Sequence, residues 1–416
     1  MKRNSELNHT LLTQIAHKTG TPVYVYSSKA LSGALKDFQA GLSQVNSLVC
    51  FAMKSNSNLA ILRLLGKSGA GMDVVSGGEL YRARKAGIAA NRIVFSGVGK
   101  TAAEMSYALE QGILCFNIES IGELTALSSV AKNLGKKAPI SLRFNPDVNP
   151  RTHPYIATGL KKNKFGMTRS EILKLIKTLS SMKSIELRGL SMHMGSQILS
   201  LDPFRDGFKK ARELLDEIEA TTPHRFTLMD LGGGLGVPYK NEKNPSIKEY
   251  CELILKIFGP QSWRKTPPKI LIEPGRSISG NAGILLTQVL YRKKRTTKDI
   301  LIVDAAMNDL IRPALYGSYH EILPLNPARL RGPQKKTDVV GPICESADCF
   351  ASEKLFPTRV NPGDLLAIHS AGAYGFSMSS NYNSRPRPAE VLVENGKFRL
   401  IRERESWEDL VRGERI

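Results

Sequence analysis

KILIEPGR at 269–276 is a run of apolar residues that stops abruptly on a carboxylate, a Pro-Gly pair and an arginine. FTLMDLGGG at 226–234 has the same build and stops on three glycines. Near-continuous apolar runs of this length suit strands buried on both faces, as the strands of a parallel sheet are, and such strands need helical crossovers between them. Working back towards the N-terminus, the pattern recurs as LRGLSMHMGS (187–196), ISLRFNP (140–146), LCFNIES (114–120), RIVFSG (92–97), GMDVVS (71–76) and LVCFAMKS (48–55). Amphipathic stretches fill the intervals: LAILRLLGKSG at 59–69 ends in glycine, and SEILKLIKTLSSM at 170–182 opens on serine. Eight such strand–helix units in one file predict an α/β fold, a (β/α)8 barrel.

Beyond residue 280 the texture changes to strands with few helical intervals: ILLTQVLYRKK, DILIVDAAM, DVVGPICES, DLLAIHSAG and PAEVLVENGKFRLI. The last carries Asn395-Gly396, a strong signal for a two-residue hairpin. A separate C-terminal β-barrel-like domain is expected here. PVYVYS at 22–27 is also strand-like and precedes a Ser-capped helix, so the first residues are expected to pair into that later domain. The expected division is an N-terminal segment 1–29, a barrel 30–280 and a β domain 281–416, with no internal repeat or flexible linker.

Composition narrows the class. With 416 residues, 41% hydrophobic and 23% charged, the chain has the material for more than one core and none of the bias of a disordered protein. The N-terminal stretch lacks an apolar signal-peptide core, and no apolar run approaches the roughly 18 residues of a membrane span, so no membrane association and a cytoplasmic location are expected. Five scattered cysteines (Cys50, Cys115, Cys251, Cys344, Cys349) are poor material for a disulfide framework. No second Cys pair or His at ligand spacing supports a zinc site, so no metal is expected. The net charge of +21 would attract polyanions. Its lysines and arginines are spread along the chain without a recognisable binding module, so nucleic acid is not expected as a partner.

A parallel barrel presents its active site at the C-terminal ends of its strands, and the polar residues gather there. The first run ends in Lys54, the second carries Asp73, the sixth ends in His193, Gly195 and Ser196, the seventh in Gly232-Gly233-Gly234, and the eighth in Glu273, Gly275 and Arg276. Two readings of Lys54 stand: a strand-end lysine whose stem lies along apolar surface, or a desolvated amine that forms a Schiff base with a carbonyl group. GGGLG at 232–236 is either a plain glycine turn or a place where backbone N–H groups approach a phosphate; it lacks the spacing of the dinucleotide fingerprint. Glu273 is a surface salt-bridge partner or the carboxylate that keeps a pyridine nitrogen protonated, as pyridoxal-phosphate chemistry requires. His193 suits a base, or an aromatic slab against a cofactor ring, better than a metal ligand.

Taken together, FAMKSN around Lys54, GMDVVSGGEL (71–80), HPYIATGLKKNKFG (153–166), HMGSQ (193–197), LGGGLG (231–236), EPGR (273–276), GPICESAD (341–348) and AGAYGF (371–376) resemble the diaminopimelate decarboxylases. These are pyridoxal 5'-phosphate (PLP) enzymes that join an alanine-racemase-like barrel to a β domain. The likeness runs in order from about residue 20 to about 400. It implies Lys54 as the PLP lysine, His193 stacked on the cofactor ring, and Ser196, the glycines 232–234 and the EPGR segment with Gly275 at the phosphate. It further implies Glu273 at the pyridine nitrogen, Asp73 near the cofactor, and Arg276, Arg312, Tyr316 and Glu345 as substrate contacts. Cys344 would be the catalytic acid, and Tyr374 would touch both cofactor and substrate. In such a family the segment around Cys344 reaches the partner subunit's cofactor, which implies a homodimer with shared active sites.

The expected reaction is decarboxylation of meso-2,6-diaminopimelate to L-lysine. Two arginines for a distal carboxylate and Glu345 for a distal ammonium fit a substrate with an amino-acid group at both ends. The rivals are a decarboxylase of another basic amino acid or a carboxylated polyamine, and a PLP-binding regulatory paralogue without turnover. One segment departs from the pattern: CESADCF lacks an expected glycine and carries a second cysteine, Cys349.

Overall fold

The computed structural model describes residues 6–149, 163–179 and 181–416, so most of the HPYIATGLKKNKFG segment lies outside the described residues. The chain divides into two compact units. A barrel unit takes residues 32–237 and 243–277, and a sheet unit takes 1–31, 238–242 and 278–416.

β1 (Val23–Ser27) belongs to the sheet unit. The barrel unit is built from β2 (Ser47–Ala52), β3 (Gly71–Val74), β4 (Ile93–Phe95), β5 (Cys115–Ile118), β6 (Ala138–Phe144), β7 (Ile185–Met192), β8 (Leu228–Asp230) and β9 (Lys269–Ile272). Each pairs in parallel with the next, and β2 closes on β9, so the eight strands form the (β/α)8 barrel that the sequence predicts. The helix Leu59–Lys67 opens on Asn58, whose side chain accepts from the Ala60 N–H, and Gly69 beyond its end takes φ +86°. Helix Arg169–Leu179 starts one residue before the serine picked from sequence: Thr168 and Glu171 form its cap, with the Thr168 N–H donating to Glu171 Oε2 at 2.8 Å.

The barrel interior is layered. Leu48, Cys50, Val94, Cys115, Leu228 and Leu271 make an apolar cluster inside it. Side chains on a strand repeat their direction every second residue, so the next inward position is two residues on. Those positions are Ser96, Asn117, Asp230 and Glu273, all buried. An apolar floor therefore carries a polar layer at the C-terminal end, where the layer cannot be part of the hydrophobic core.

The sheet unit adds β10 (Gly283–Lys293), β11 (Asp299–Val303), β12 (Ile322–Pro324), β13 (Gln334–Val340), β14 (Cys349–Pro357), β15 (Leu365–Ile368), β16 (Ala389–Glu394) and β17 (Lys397–Arg402). Seven of these nine strands run in the order β14-β13-β11-β10-β1-β16-β17, and β12 and β15 extend from β10. β1 lies between β10, antiparallel, and β16, parallel. The core beneath β1 joins Val23 and Val25 to Leu286, Ala367, Val391 and Val393, with Leu11, Leu12 and Ile15 of the helix His9–Thr19 packed on it. At the tip of the β16–β17 hairpin Asn395 and Gly396 both take positive φ, 52° and 74°, as a two-residue mirror-image turn requires. No described helix is long and apolar enough to cross a membrane.

Candidate active site

Lys54 does not lie within a strand. β2 ends at Ala52, and a single turn of 3-10 helix, Met53–Ser55, carries the lysine past the strand end. There Lys54 Nζ meets Asp73 Oδ2 of β3 at 2.6 Å. Asp73 is fully buried, whereas about a third of the lysine side chain stays accessible, at 34%. A stem that merely lay along apolar surface would leave its ammonium in water. This one is turned inward onto a buried carboxylate.

Glu273 follows β9 and is 5% exposed. Its Oε1 accepts from Asn117 Nδ2 at 3.3 Å and from Ser96 Oγ at 3.4 Å. Asn117 Nδ2 also donates to Asp230 Oδ2 at 2.9 Å, and Asp230 Oδ1 accepts the Gly232 N–H at 2.9 Å. Two carboxyls thus share one dry polar layer. Burial, then the charges of Asp230 and Asp73, push the Glu273 acid well above its ordinary range, against the opposing pull of Lys54. Burial also raises Asp230, which hydrogen bonds from Glu273, Gly232 and Asn117 partly offset. Of the two, Glu273 is the one driven further towards the protonated acid. Burial lifts a third carboxyl, Glu79, to about 7.

His193 follows β7, and the Gly233 N–H donates to its Nδ1 at 3.1 Å. Nδ1 is thus an acceptor, so the imidazole is neutral. Burial, reinforced by the charges of Lys54 and Arg143, holds its pKa well below the usual histidine value. The three glycines after β8 are forced by close packing. A Cβ on Gly232 would lie 2.2 Å from the Met192 carbonyl oxygen, one on Gly233 2.1 Å from that of Glu273, and one on Gly234 2.5 Å from that of Gly195. Gly275 is packed less tightly, with the Ser55 side-chain Oγ 3.0 Å from its would-be Cβ. Arg276 is 6% exposed, and its NH2 donates to Ser196 Oγ at 3.2 Å. Every barrel residue singled out from sequence therefore converges on the strand ends.

Sequence reasoning missed Asp230, Asn117, Ser96 and the buried ion pair of Arg143 with Glu119, whose Oε2 also accepts the Gly166 N–H at 2.8 Å. Asp230, Asn117 and Ser96 share a signal, a polar residue two positions beyond an inward apolar one, whereas Arg143 and Glu119 follow the polar Ser141 and Asn117 at that spacing.

The remaining candidates sit in the sheet unit. Arg312 opens the short helix Arg312–Tyr316, is 4% exposed, and has Tyr316 at the same helix's end. Cys344 and Glu345 are exposed on the loop between β13 and β14, where the Cys344 N–H donates to Asn383 Oδ1 at 2.9 Å. Asp348 shapes that loop, its two oxygens accepting from the Ile343 and Met307 N–H groups at 2.8 and 2.7 Å. The departing Cys349 opens β14, half-buried, and burial pushes its thiol up. Tyr374 holds φ +55°, a conformation that favours glycine and costs on the order of 1 kcal/mol in other residues.

The donor set fits PLP by its own chemistry: an inward lysine amine for the aldehyde, a carboxyl that retains its proton for a pyridine nitrogen, a neutral imidazole, and glycine backbone beside Ser196 and Arg276 for a phosphate. A barrel so equipped defines a PLP-dependent decarboxylase, and residues 29–280 match the model for the pyridoxal-binding domain of pyridoxal-dependent decarboxylases. The chain is 46% identical over 96% of its length to the diaminopimelate decarboxylase of Aquifex aeolicus (strain VF5), covering 93% of that protein. It is 47% identical to that of Zymomonas mobilis subsp. mobilis, covering 97% of this chain and 94% of the relative. The crystal structure of Helicobacter pylori diaminopimelate decarboxylase complexed with L-lysine superposes with a TM-score of 0.91 at 42% identity, covering 96% of this chain and 98% of that one. The chain belongs to the diaminopimelate decarboxylase family.

Proposed function

We propose that this protein decarboxylates meso-2,6-diaminopimelate to L-lysine and CO2, with PLP held at Lys54. The observation that carries the reading is the Lys54 amine, drawn at 2.6 Å onto buried Asp73 beside the carboxyl layer of Glu273 and Asp230, in a chain 46% identical to a diaminopimelate decarboxylase. PLP, when bound, supplies an aldehyde for covalent attachment and a conjugated ring that draws electrons from the substrate's α-carbon.

The chain's own residues do the rest. Asp73 orients the Lys54 amine, and Glu273 would face the pyridine nitrogen and keep it protonated. His193 would hold the ring, and Ser196, Gly232, Gly233, Gly234, Gly275 and Arg276 would hold the phosphate. Arg276 and Arg312 bind the distal carboxylate, Glu345 the distal ammonium, and Tyr316 and Tyr374 line the substrate. Cys344 donates the proton that replaces CO2 at the α-carbon. Its exposed position on a loop of the sheet unit supports its working in trans, in a cytoplasmic homodimer whose two barrels each use the partner's loop. This gives the barrel, 30–280, the cofactor and the β domain, 281–416, substrate and catalytic residues, with the 1–29 segment pairing into the β domain.

Purified protein supplied with PLP and, separately, meso-diaminopimelate, ornithine and arginine tests the reading through release of CO2 and lysine. Diaminopimelate is expected to have the highest kcat/KM. A higher value for ornithine or arginine overturns the proposal.

A further inference from the structure

Arg312 is held by residues that follow it within eight positions. Its helix is little more than one turn long and stops at Gly317, whose φ of +59° reverses the chain. The reversal brings Ser318 and His320 back onto the guanidinium. NH2 donates to Ser318 Oγ at 3.2 Å, and NH1 lies 2.9 Å from His320 Nε2. The guanidinium carbon stands 4.7 Å from the centre of the Tyr239 ring, and that ring meets the His320 ring edge-on at 5.3 Å. His320 itself is 1% exposed.

The second ring nitrogen decides the state of the histidine. Nδ1 is 2.8 Å from the carbonyl oxygen of His369, a residue anchored beyond β15 by its N–H bond to the Glu321 carbonyl at 2.8 Å. A carbonyl can only accept, so Nδ1 carries the hydrogen. A guanidinium can only donate, so Nε2 presents its lone pair. His320 is thereby a neutral acceptor fixed in one tautomer. A carboxylate in its place would aim the guanidinium equally well, but would oppose the entry of a second carboxylate. A neutral acceptor sets the direction of the fork without cancelling its charge.

We propose that His320 is a positioning residue that, as the neutral Nδ1–H tautomer, holds Arg312 in the orientation from which it reads the substrate's distal carboxylate. The inference rests on the role given to Arg312 above and goes beyond it by naming what aims the arginine. It also explains why the segment RPALYGSYH places a histidine eight residues after the arginine.

The test uses the PLP-loaded enzyme, with steady-state kinetics on meso-diaminopimelate and equilibrium binding of two probes. L-lysine keeps the carboxylate that Arg312 would read, and cadaverine lacks it. His320→Phe keeps the ring and removes both nitrogens. It is expected to raise KM and the L-lysine Kd about tenfold, the scale for losing a hydrogen bond to a charged group, with kcat and cadaverine binding changed less than about threefold. His320→Gln, which returns an acceptor near the place of Nε2, should recover most of the loss. Arg312→Met combined with His320→Phe should be no worse than Arg312→Met alone, because the histidine acts through the arginine. Unchanged KM in His320→Phe overturns the proposal, as does equal weakening of L-lysine and cadaverine. Should His320→Phe fail to fold, His320→Ala takes its place with the same readouts: a rise in KM and L-lysine Kd of about tenfold with cadaverine binding unchanged supports the proposal, and unchanged KM and L-lysine Kd overturn it. If Arg312→Met itself leaves KM and L-lysine binding unchanged, the reading of Arg312 fails and the inference falls with it; if only the His320 variants are silent, Arg312 keeps its role.

Discussion

Glu273 keeps its proton because the carboxylate would have to share a dry layer with Asp230 and Asp73. A carboxyl whose folded pKa lies above its unfolded value, about 4.3 for glutamate, gives full stability only below that value. As pH rises from there through the folded pKa, the unfolded chain releases a proton that the folded chain retains, and stability drains away. Cofactor-free protein is therefore expected to melt at progressively lower temperature between pH 5 and pH 8. Glu273→Gln, with no proton to lose, should flatten that dependence while lowering turnover by roughly 10²-fold, the scale for one preorganised electrostatic partner. A wild-type Tm that stays level across this range would contradict the buried-acid account. For Lys54 the expectation is spectroscopic. Lys54→Ala should lose the visible absorbance of PLP-loaded enzyme and the borohydride-stable label on the peptide around residue 54; a label at that peptide in the variant would reassign the lysine.

At the scale of single elements, the glycines separate packing from propensity. A Cβ on Gly233 would penetrate the Glu273 carbonyl at 2.1 Å, whereas Gly33, inside the helix Ser28–Gly41, has nothing within 4 Å. Gly233→Ala is expected to weaken PLP binding at least about tenfold and to cost 1–3 kcal/mol, the range for overpacking a tight site. Gly33→Ala should instead stabilise by about 0.5–1 kcal/mol. Urea unfolding and PLP titration of the two proteins check the contrast. The barrel strands were legible because burial on both faces leaves unbroken apolar runs. β14 was not, because CFASEKLFP lies at an edge of its sheet with a third of its residues exposed and its charges masking the alternation. The run LVCFAMKS predicts a strand that reaches Lys54, because nothing in those residues marks the 3-10 turn. Asp230 escaped notice because the glycines behind it carried a more familiar signal. The tether on Arg312 depends on a chain reversal at Gly317 that spacing alone does not reveal.

For the whole molecule, the proposed sharing of sites between two chains gives a quantitative expectation. Lys54→Ala and Cys344→Ala are each expected to be inactive. If the two are mixed after reversible dissociation and pair at random, half the dimers are mixed, and one of the two sites in each is intact. About a quarter of wild-type activity should then return, as two-fold symmetry requires. No recovery despite demonstrated subunit exchange would place Lys54 and Cys344 in a site of one chain, or remove Cys344 from catalysis.

The position of β1 bears on how the molecule is made. A ribosome releases this strand before any strand of the barrel, yet Val23 pairs with Leu286 on one side and with Ala389 on the other. Every strand of the barrel is synthesised before either neighbour of β1 exists. Through most of translation β1 is an apolar ribbon with two open edges, the kind of surface that chaperones cover. The barrel can close while the chain is still growing, but the sheet must wait for β16 to emerge. Vectorial synthesis therefore imposes an order, barrel first and sheet second, on a chain in which β1 and β16 lie side by side.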